Sequence, residues 1–355
     1  MNFLSRHGVA GAVAAVATLA ALATAGNAAD LKMPTPYAGG PWLERDAQGF
    51  VDRVAELTEG RVKLRPFPAG ALGNALKVTE TVQSGAAEAG FNWMPYDWGV
   101  EVGSVIFGGF AGGLRNPEEY MLWLYKGGGL ELWQEYREKK FNVVSFPCTT
   151  LGSEIFLLSK KKVQTLEDFK GLRFRTSGAW IDIAAKLGAA TVSMPGGEVY
   201  NALDRGVIDA TEWGSPEINK PSGLNKIAKY IITPGLHQTG GFLECMFSKD
   251  AWAKISEFDK KAIAAAAKLS VFESWLNNSD ADLDAFVEIR DGRNELVKLD
   301  PAFIEAINTA TNEWAKQKSD ESEWFKRAYE SMSGYKEKLK LWPNYRLPVG
   351  IDTLQ

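Results

Sequence analysis

Leu203-Asp204-Arg205-Gly206-Val207-Ile208-Asp209-Ala210-Thr211-Glu212-Trp213 reads as a helix end, a glycine stop and an apolar strand that closes on an acid and a tryptophan. The same order stands 121 positions earlier, in Val82-Gln83-Ser84-Gly85-Ala86-Ala87-Glu88-Ala89. In both stretches a glycine follows the helix, where a left-handed residue lets the chain turn tightly into a strand. In both, the strand carries an acid followed by alanine. Two such units predict two related α/β halves. Sheets built this way hold their ligand in a crevice at the carboxyl ends of the strands. Those ends are Phe91-Asn92-Trp93 in the first half and Thr211-Glu212-Trp213 in the second.

Working outward, helical and strand spacings alternate. Apolar spacing predicts helices over 43–57, 74–84, 117–126, 130–140, 166–169, 179–187 and 199–205. Strands are predicted over 61–67, 86–93, 142–146, 155–158, 172–175, 191–193, 207–213, 230–233 and 244–248. From residue 249 to about 335 the pattern is mostly helical. The expected fold class is α/β, with two lobes over residues 29–150 and 151–248, a cleft between them, and a helical segment over 249–355 packed across both.

Composition narrows the function. The chain has 355 residues, 45% hydrophobic and 24% charged, enough for two lobes with ordinary cores. With 40 Lys+Arg against 44 Asp+Glu the net charge is −4, which argues against nucleic acid as a partner. Two His and two Cys leave no room for a Cys/His zinc scaffold. Residues 1–28 read as a secretory leader: Arg6 and His7, then an 18-residue Gly/Ala/Val/Leu/Thr run over 8–25, then small residues for cleavage after Ala28. Export puts Cys148 and Cys245, 97 residues apart, in an oxidising compartment. There they either pair, closing a loop worth about 4–5 kcal/mol in the chain-entropy model, or stay as two buried thiols.

The strand ends carry binding chemistry. Trp93, Tyr96, Trp98, Trp180 and Trp213 gather there, as packing or as the aromatic lining of a cleft. In Leu172-Arg173-Phe174-Arg175 the alternation sets both arginines on one face. Arg175 ends that strand beside Thr176-Ser177-Gly178, where Thr176 or Ser177 is expected to cap the next helix. A guanidinium beside a helix start suits a carboxylate. Glu212 closes an apolar strand and Glu154 precedes the apolar run 155–158, so each needs a cation, a proton or water. Two such acids facing one cleft are either a cation seat or the acid/base pair of a hydrolase. At about 4 Å and an effective dielectric near 20, each unscreened like-charge pair costs roughly 4 kcal/mol. His237 is a lone histidine, a type more often structural than catalytic. Gly127-Gly128-Gly129 lacks the Lys-Ser/Thr of a phosphate loop, and no Gly-x-Ser-x-Gly elbow occurs.

The series 166–175 (Leu-Glu-Asp-Phe-Lys-Gly-Leu-Arg-Phe-Arg), Lys186-Leu187-Gly188-Ala189 and 195–213 (from Pro-Gly-Gly-Glu-Val-Tyr to Ala-Thr-Glu-Trp) resembles the periplasmic substrate-binding subunits of tripartite ATP-independent periplasmic (TRAP) transporters. It is similar in particular to the 2-oxo acid and lactate binders, grouped with mannitol/chloroaromatic-type receptors. The resemblance implies a periplasmic receptor, not an enzyme, whose two lobes close over a small organic anion for delivery to membrane permease subunits, and which can pair as a homodimer. It implies that Arg175 holds the ligand carboxylate. It also implies a bound cation, Ca²⁺ or Na⁺, at Glu154, Glu212, the carbonyl of Trp213 and the place of Gln238. The sequence departs there, with Glu154 where a Gln is expected and Gln238 where an acid is expected. Substrate contacts are then expected from Arg175, Tyr96, Trp98, Trp213, Glu154 and Asn92. An ABC-type receptor shares the two-lobed build without this motif series, and a secreted hydrolase would use Glu154 and Glu212.

Overall fold

The computed structural model describes residues 29–340, so the predicted leader lies outside the described residues. The path starts with β1 (Ala29–Pro34), a π-helical stretch (Trp42–Ala47), α1 (Gln48–Leu57), β2 (Val62–Phe67), α2 (Val78–Gln83), β3 (Ala89–Asn92), α3 (Ser104–Gly108), α4 (Pro117–Lys126) and α5 (Gly129–Phe141). β4 (Val143–Leu151) crosses to the second lobe. There follow β5 (Leu157–Ser159), α6 (Leu166–Phe169), β6 (Arg173–Arg175), α7 (Trp180–Lys186), β7 (Ala190–Val192), α8 (Gly196–Asp204), β8 (Ala210–Thr211), α9 (Pro216–Ser222), α10 (Leu224–Ile227) and β9 (Tyr230–Thr233). β10 (Gly241–Ser248) returns, and α11 (Lys249–Lys254), α12 (Glu257–Arg290), β11 (Glu295–Lys298), α13 (Pro301–Glu321) and α14 (Glu323–Leu339) complete the described chain.

The two glycine stops are built alike. Gly85 has φ 76° and Gly206 φ 71°, and neither would meet an atom within 4 Å if given a Cβ, so the left-handed turn is what requires glycine. At both, the residue after the glycine donates back into the helix, Ala86 to Thr81 and Val207 to Ala202. The acids match too: Glu88 accepts the backbone N–H of Lys32 on β1, and Asp209 that of Arg173 on β6. The turn consumes residues the hydrophobic pattern assigned to strand. β8 is therefore only Ala210–Thr211, and Val207 is 59% exposed.

Sheet membership redraws the expected boundaries. The second lobe holds the sheet β11-β9-β5-β8-β6-β7, and the first holds β3-β10-β4 with the parallel pair β1-β2 beside it. Residues 241–248, expected in the second lobe, lie between β3 and β4 in the first. β11, in the expected helical segment, edges the second sheet. Both faces of a central strand are covered, which is why 241–248 is apolar almost throughout.

β4 and β10 are thus the two strands that pass between the lobes. In their antiparallel register Glu244 faces Pro147 and Leu243 faces Thr149, leaving Cys148 as the extra residue of a bulge. Pro147 has no N–H to give the ladder, and Cys148, two residues past the Phe146 that pairs with Cys245, shares the face of Cys245. The two cysteines form a disulfide, so the thiol alternative falls. Alongside runs α12, 34 residues or about 51 Å long. It is fastened to the end of β4 by Thr150 N–H to Ser274 Oγ (2.8 Å) and Asn278 Nδ2 to the Thr150 carbonyl (2.6 Å). It packs on α1 of the first lobe and α9 of the second. α13 packs on α6 and α7, and α14 on α3, α4 and α5. Among the described residues no helix is long and apolar enough to cross a membrane.

Candidate functional site

The site forms where β6, β8 and two loops meet the crossing strands. Leu172 and Phe174 are buried beneath the second sheet. Arg175 follows in the alternation and is carried into the cleft with 1% of its surface exposed. Its Nη1 donates to Glu212 Oε1 at 3.2 Å, and its Nε and Nη2 donate to the Met194 carbonyl at 3.3 and 3.1 Å. The guanidinium also lies over the Trp213 ring, 5.3 Å from its centroid. The capping expectation for the next helix fails: α7 starts at Trp180 with Ala179 as N-cap and no side-chain cap. Ser177 Oγ is thereby left without a protein partner and lines the cleft.

Glu154 enters from the loop after β4. Its N–H donates to the Gln238 carbonyl at 3.0 Å, so residues 235–238 lie directly against it. Gly235 is what permits this approach, since a Cβ there would sit 1.9 Å from the Glu154 carbonyl oxygen. The loop brings His237 Nε2 to 3.0 Å from Glu154 Oε2. Phe156 and Trp180 pack the imidazole, with ring centroids 5.7 and 5.9 Å away. Ligand atoms of Glu154, Glu212 and His237 all lie within 4.8 Å of one another.

Burial governs the protonation here. It pushes the Glu154 carboxyl up to about 8 against the opposing Arg175 charge. It raises Glu212 as well, where Arg175 again opposes and Glu154 adds repulsion. It holds His237 down to about 4, so the imidazole is neutral at neutral pH. Glu212 already accepts from Arg175 Nη1, and two carboxylates with an imidazole are a donor set that fits a cation.

The cluster lines two adjoining hollows, which share Trp93, Glu154, Ser177, Glu212 and Gln238. Of the residues singled out in the sequence, Arg175, Tyr96, Trp213, Glu154, Glu212 and Gln238 line these hollows. It does not bring in Trp98 or Asn92. Trp98 packs against the main core, and Asn92 points into a separate buried network with Thr79 and Glu244. Strand-end position was the signal for Asn92, but the side chain faces the inner side of the sheet. The residue sequence reasoning set aside was His237. Its signal lay in the Pro-Gly that precedes it, which permits a loop to press against Glu154. Tyr37 and Trp42 also wall the cleft and were not anticipated.

Comparison with known proteins agrees with this build. The model of bacterial extracellular solute-binding protein, family 7 (DctP), matches residues 40–321. A monocarboxylate 2-oxoacid-binding periplasmic protein of Nostoc sp. is 31% identical over 297 residues, 83% of this chain and 81% of the relative. Among solved structures, a TRAP periplasmic solute-binding protein from Colwellia psychrerythraea with bound calcium and pyruvate is 25% identical, with a TM-score of 0.83 over 89% of this chain and 97% of that one. One from Pseudoalteromonas atlantica with bound sodium and pyruvate shares the fold at 23% identity, with a TM-score of 0.86 over 92% of this chain and all (100%) of that one. A two-lobed α/β chain with a buried arginine and acids at its interlobe strand ends, matched over 40–321, belongs to the family of bacterial extracellular solute-binding proteins, family 7.

Proposed function

We propose that the protein is a periplasmic receptor for a small monocarboxylate, a 2-oxo or 2-hydroxy acid, which it delivers to TRAP permease subunits in the membrane. The observation that carries this is Arg175, buried against a hollow that Glu212 and Glu154 also line, with His237 beside Glu154. Arg175 takes the ligand carboxylate, exchanging its long contact to Glu212 for a bidentate one. Tyr96 and Trp213 wall the ligand, and a cation joins it to Glu154 and Glu212, with Gln238 and the Trp213 carbonyl near at hand. The Nostoc relative's 2-oxoacids and the calcium and pyruvate of the Colwellia structure support this choice of ligand. The family's members are receptors, which argues against the hydrolase reading of Glu154 and Glu212, and the TRAP relatives argue against an ABC-type partner.

Isothermal titration of the processed receptor with pyruvate tests the proposal, in buffer with added calcium. One pyruvate per chain, recovered unchanged after incubation, is the expected result. Product formation, or no binding by any small carboxylate, would refute it.

A homodimer is also proposed, on a second observation. Leu269, Phe272, Leu276, Leu283 and Phe286 are exposed along α12 at a heptad spacing, with Ser279 completing the seam. Leu276→Glu with Leu283→Glu should convert a dimer to a monomer in sedimentation velocity. A wild-type monomer at high concentration would count against the seam.

A further inference from the structure

The two carboxylates of the cation seat have a third neighbour whose donor is not oxygen. His237 is 6% exposed, lines the same hollow as Glu154 and Glu212, and offers its ligand atom within the same 4.8 Å. Its Nε2 meets Glu154, and its Nδ1 has no protein partner. A buried imidazole with one nitrogen unpartnered is uncommon, and an ion is one of the ordinary reasons for it. The ring is fixed by Phe156, Trp180 and the close approach at Gly235, so its position is built into the loop.

We propose that His237 ligates the cation through a ring nitrogen, so that this receptor takes its carboxylate together with a borderline divalent metal ion of the zinc(II) class in preference to calcium or sodium. This rests on the receptor reading above.

Calcium and sodium are hard ions that favour oxygen, whereas imidazole suits zinc, nickel and copper. Three protein donors also leave coordination positions for the carboxylate and 2-oxo oxygens of a chelating ligand, a five-coordinate arrangement zinc accepts.

The sequence makes the test clean. His237 is the one histidine outside residues 1–28, and Cys148 and Cys245 are joined, so any nitrogen ligand from imidazole is His237. The processed receptor is stripped with chelator and titrated with pyruvate in Zn²⁺, Ca²⁺ or Na⁺ at equal concentration. Binding at least about 100-fold tighter with zinc than with calcium is expected, with one zinc per chain by elemental analysis. His237→Gln should weaken zinc-dependent binding at least about 30-fold and cost less with calcium, so that the preference for zinc collapses. Cobalt(II) in place of zinc should show a visible band that His237→Gln alters. Tighter binding with calcium than with zinc overturns the ion assignment alone. So does a His237→Gln receptor with unchanged zinc dependence. Pyruvate binding under no ion condition, with no other carboxylate bound, overturns the receptor reading and this inference with it.

Discussion

Arg137 beneath the first sheet and Arg175 in the cleft are both buried arginines, with 0% and 1% of their surface exposed, and each stands among buried carboxylates. Around Arg137 the carboxylates are filled, and only Arg137 Nε and Asn92 Oδ1 go without a partner. Asp97 Oδ2 accepts from Arg137 Nη1 at 2.8 Å and Thr79 Oγ1 at 2.7 Å. Glu244 Oε1 accepts from Arg137 Nη2 at 2.8 Å, and Glu244 Oε2 accepts from Ser145 Oγ at 2.7 Å. Around Arg175 the contacts are sparse. Glu212 is reached at 3.2 Å, Glu154 is held by His237, and Ser177 Oγ, Trp180 Nε1 and His237 Nδ1 have no protein partner. The sparse cluster lines a hollow, whereas the Arg137 carboxylates line neither cleft hollow. A buried charge network whose carboxylates are filled and which meets no hollow holds the fold, and one whose carboxylates are sparsely held beside a hollow is prepared for a ligand.

The largest expected effect tests the first half of that contrast. Arg137→Met removes the shared cation of Asp97 and Glu244, and should cost about 3–5 kcal/mol of stability. Urea denaturation measures it. Pyruvate affinity of the folded fraction should stay within a few-fold of wild type, and a lost affinity would show that the two clusters are not separate.

Arg175→Ala should do the converse. Loss of the charged partner should weaken pyruvate binding by about 2–5 kcal/mol in calorimetry, with little change in the urea midpoint. Arg175→Lys should also bind weakly, because an ammonium cannot reproduce the planar fork. Equal affinity in Arg175→Ala would remove the cleft arginine from the site.

A pH test sharpens the comparison through Glu244. Burial, opposed by Arg137 and reinforced by Asp97, pushes its carboxyl up to about 7 from the ordinary 4.5. The folded protein then holds a proton that the unfolded chain releases above 4.5. This contribution is therefore fully present below about pH 4.5 and is lost as pH rises to about 7, on the order of 3 kcal/mol in all. Glu244→Gln should flatten that part of the stability profile, measured by urea denaturation between pH 4.5 and 8. An unchanged slope would mean Glu244 is ionised in the fold.

The smallest effect concerns the lobes. Arg45 of the first lobe pairs with Glu217 of the second at 2.8 Å and also reaches Asn278 of α12. It is partly exposed, so Arg45→Met should weaken pyruvate binding by only about 1 kcal/mol, through the closed arrangement of the lobes. Calorimetry beside the Arg175 variants would rank the two. An effect as large as theirs would place the decisive charge at the lobe contact and not in the cleft.

Much of the fold was legible because its signals are local. Gly85 and Gly206 stop helices for a backbone reason any neighbour would respect. The strand from 207 was overextended because Val207 and Ile208 look like strand while their backbone is spent on the turn. The lobe boundary at 248 failed because apolar residues do not say which sheet they enter. Of the site, Arg175, Glu154 and Glu212 were legible as charges stranded in apolar runs. Asn92 and Trp98 were not, since position at a strand end does not fix which side a residue serves.

By itself the sequence determined the α/β alternation, the paired glycine stops, the arginine carried into the cleft by strand alternation, and the two acids that need a partner. These follow from helix and strand periods and from the cost of burying charge, which act within a few residues. Only the tertiary structure decided that β10 lies between β3 and β4, that Cys148 reaches Cys245, and that His237 stands 3.0 Å from Glu154. Each of these depends on residues some 80 to 150 positions apart being pressed together, and the positions are set by packing and register, which no local pattern encodes.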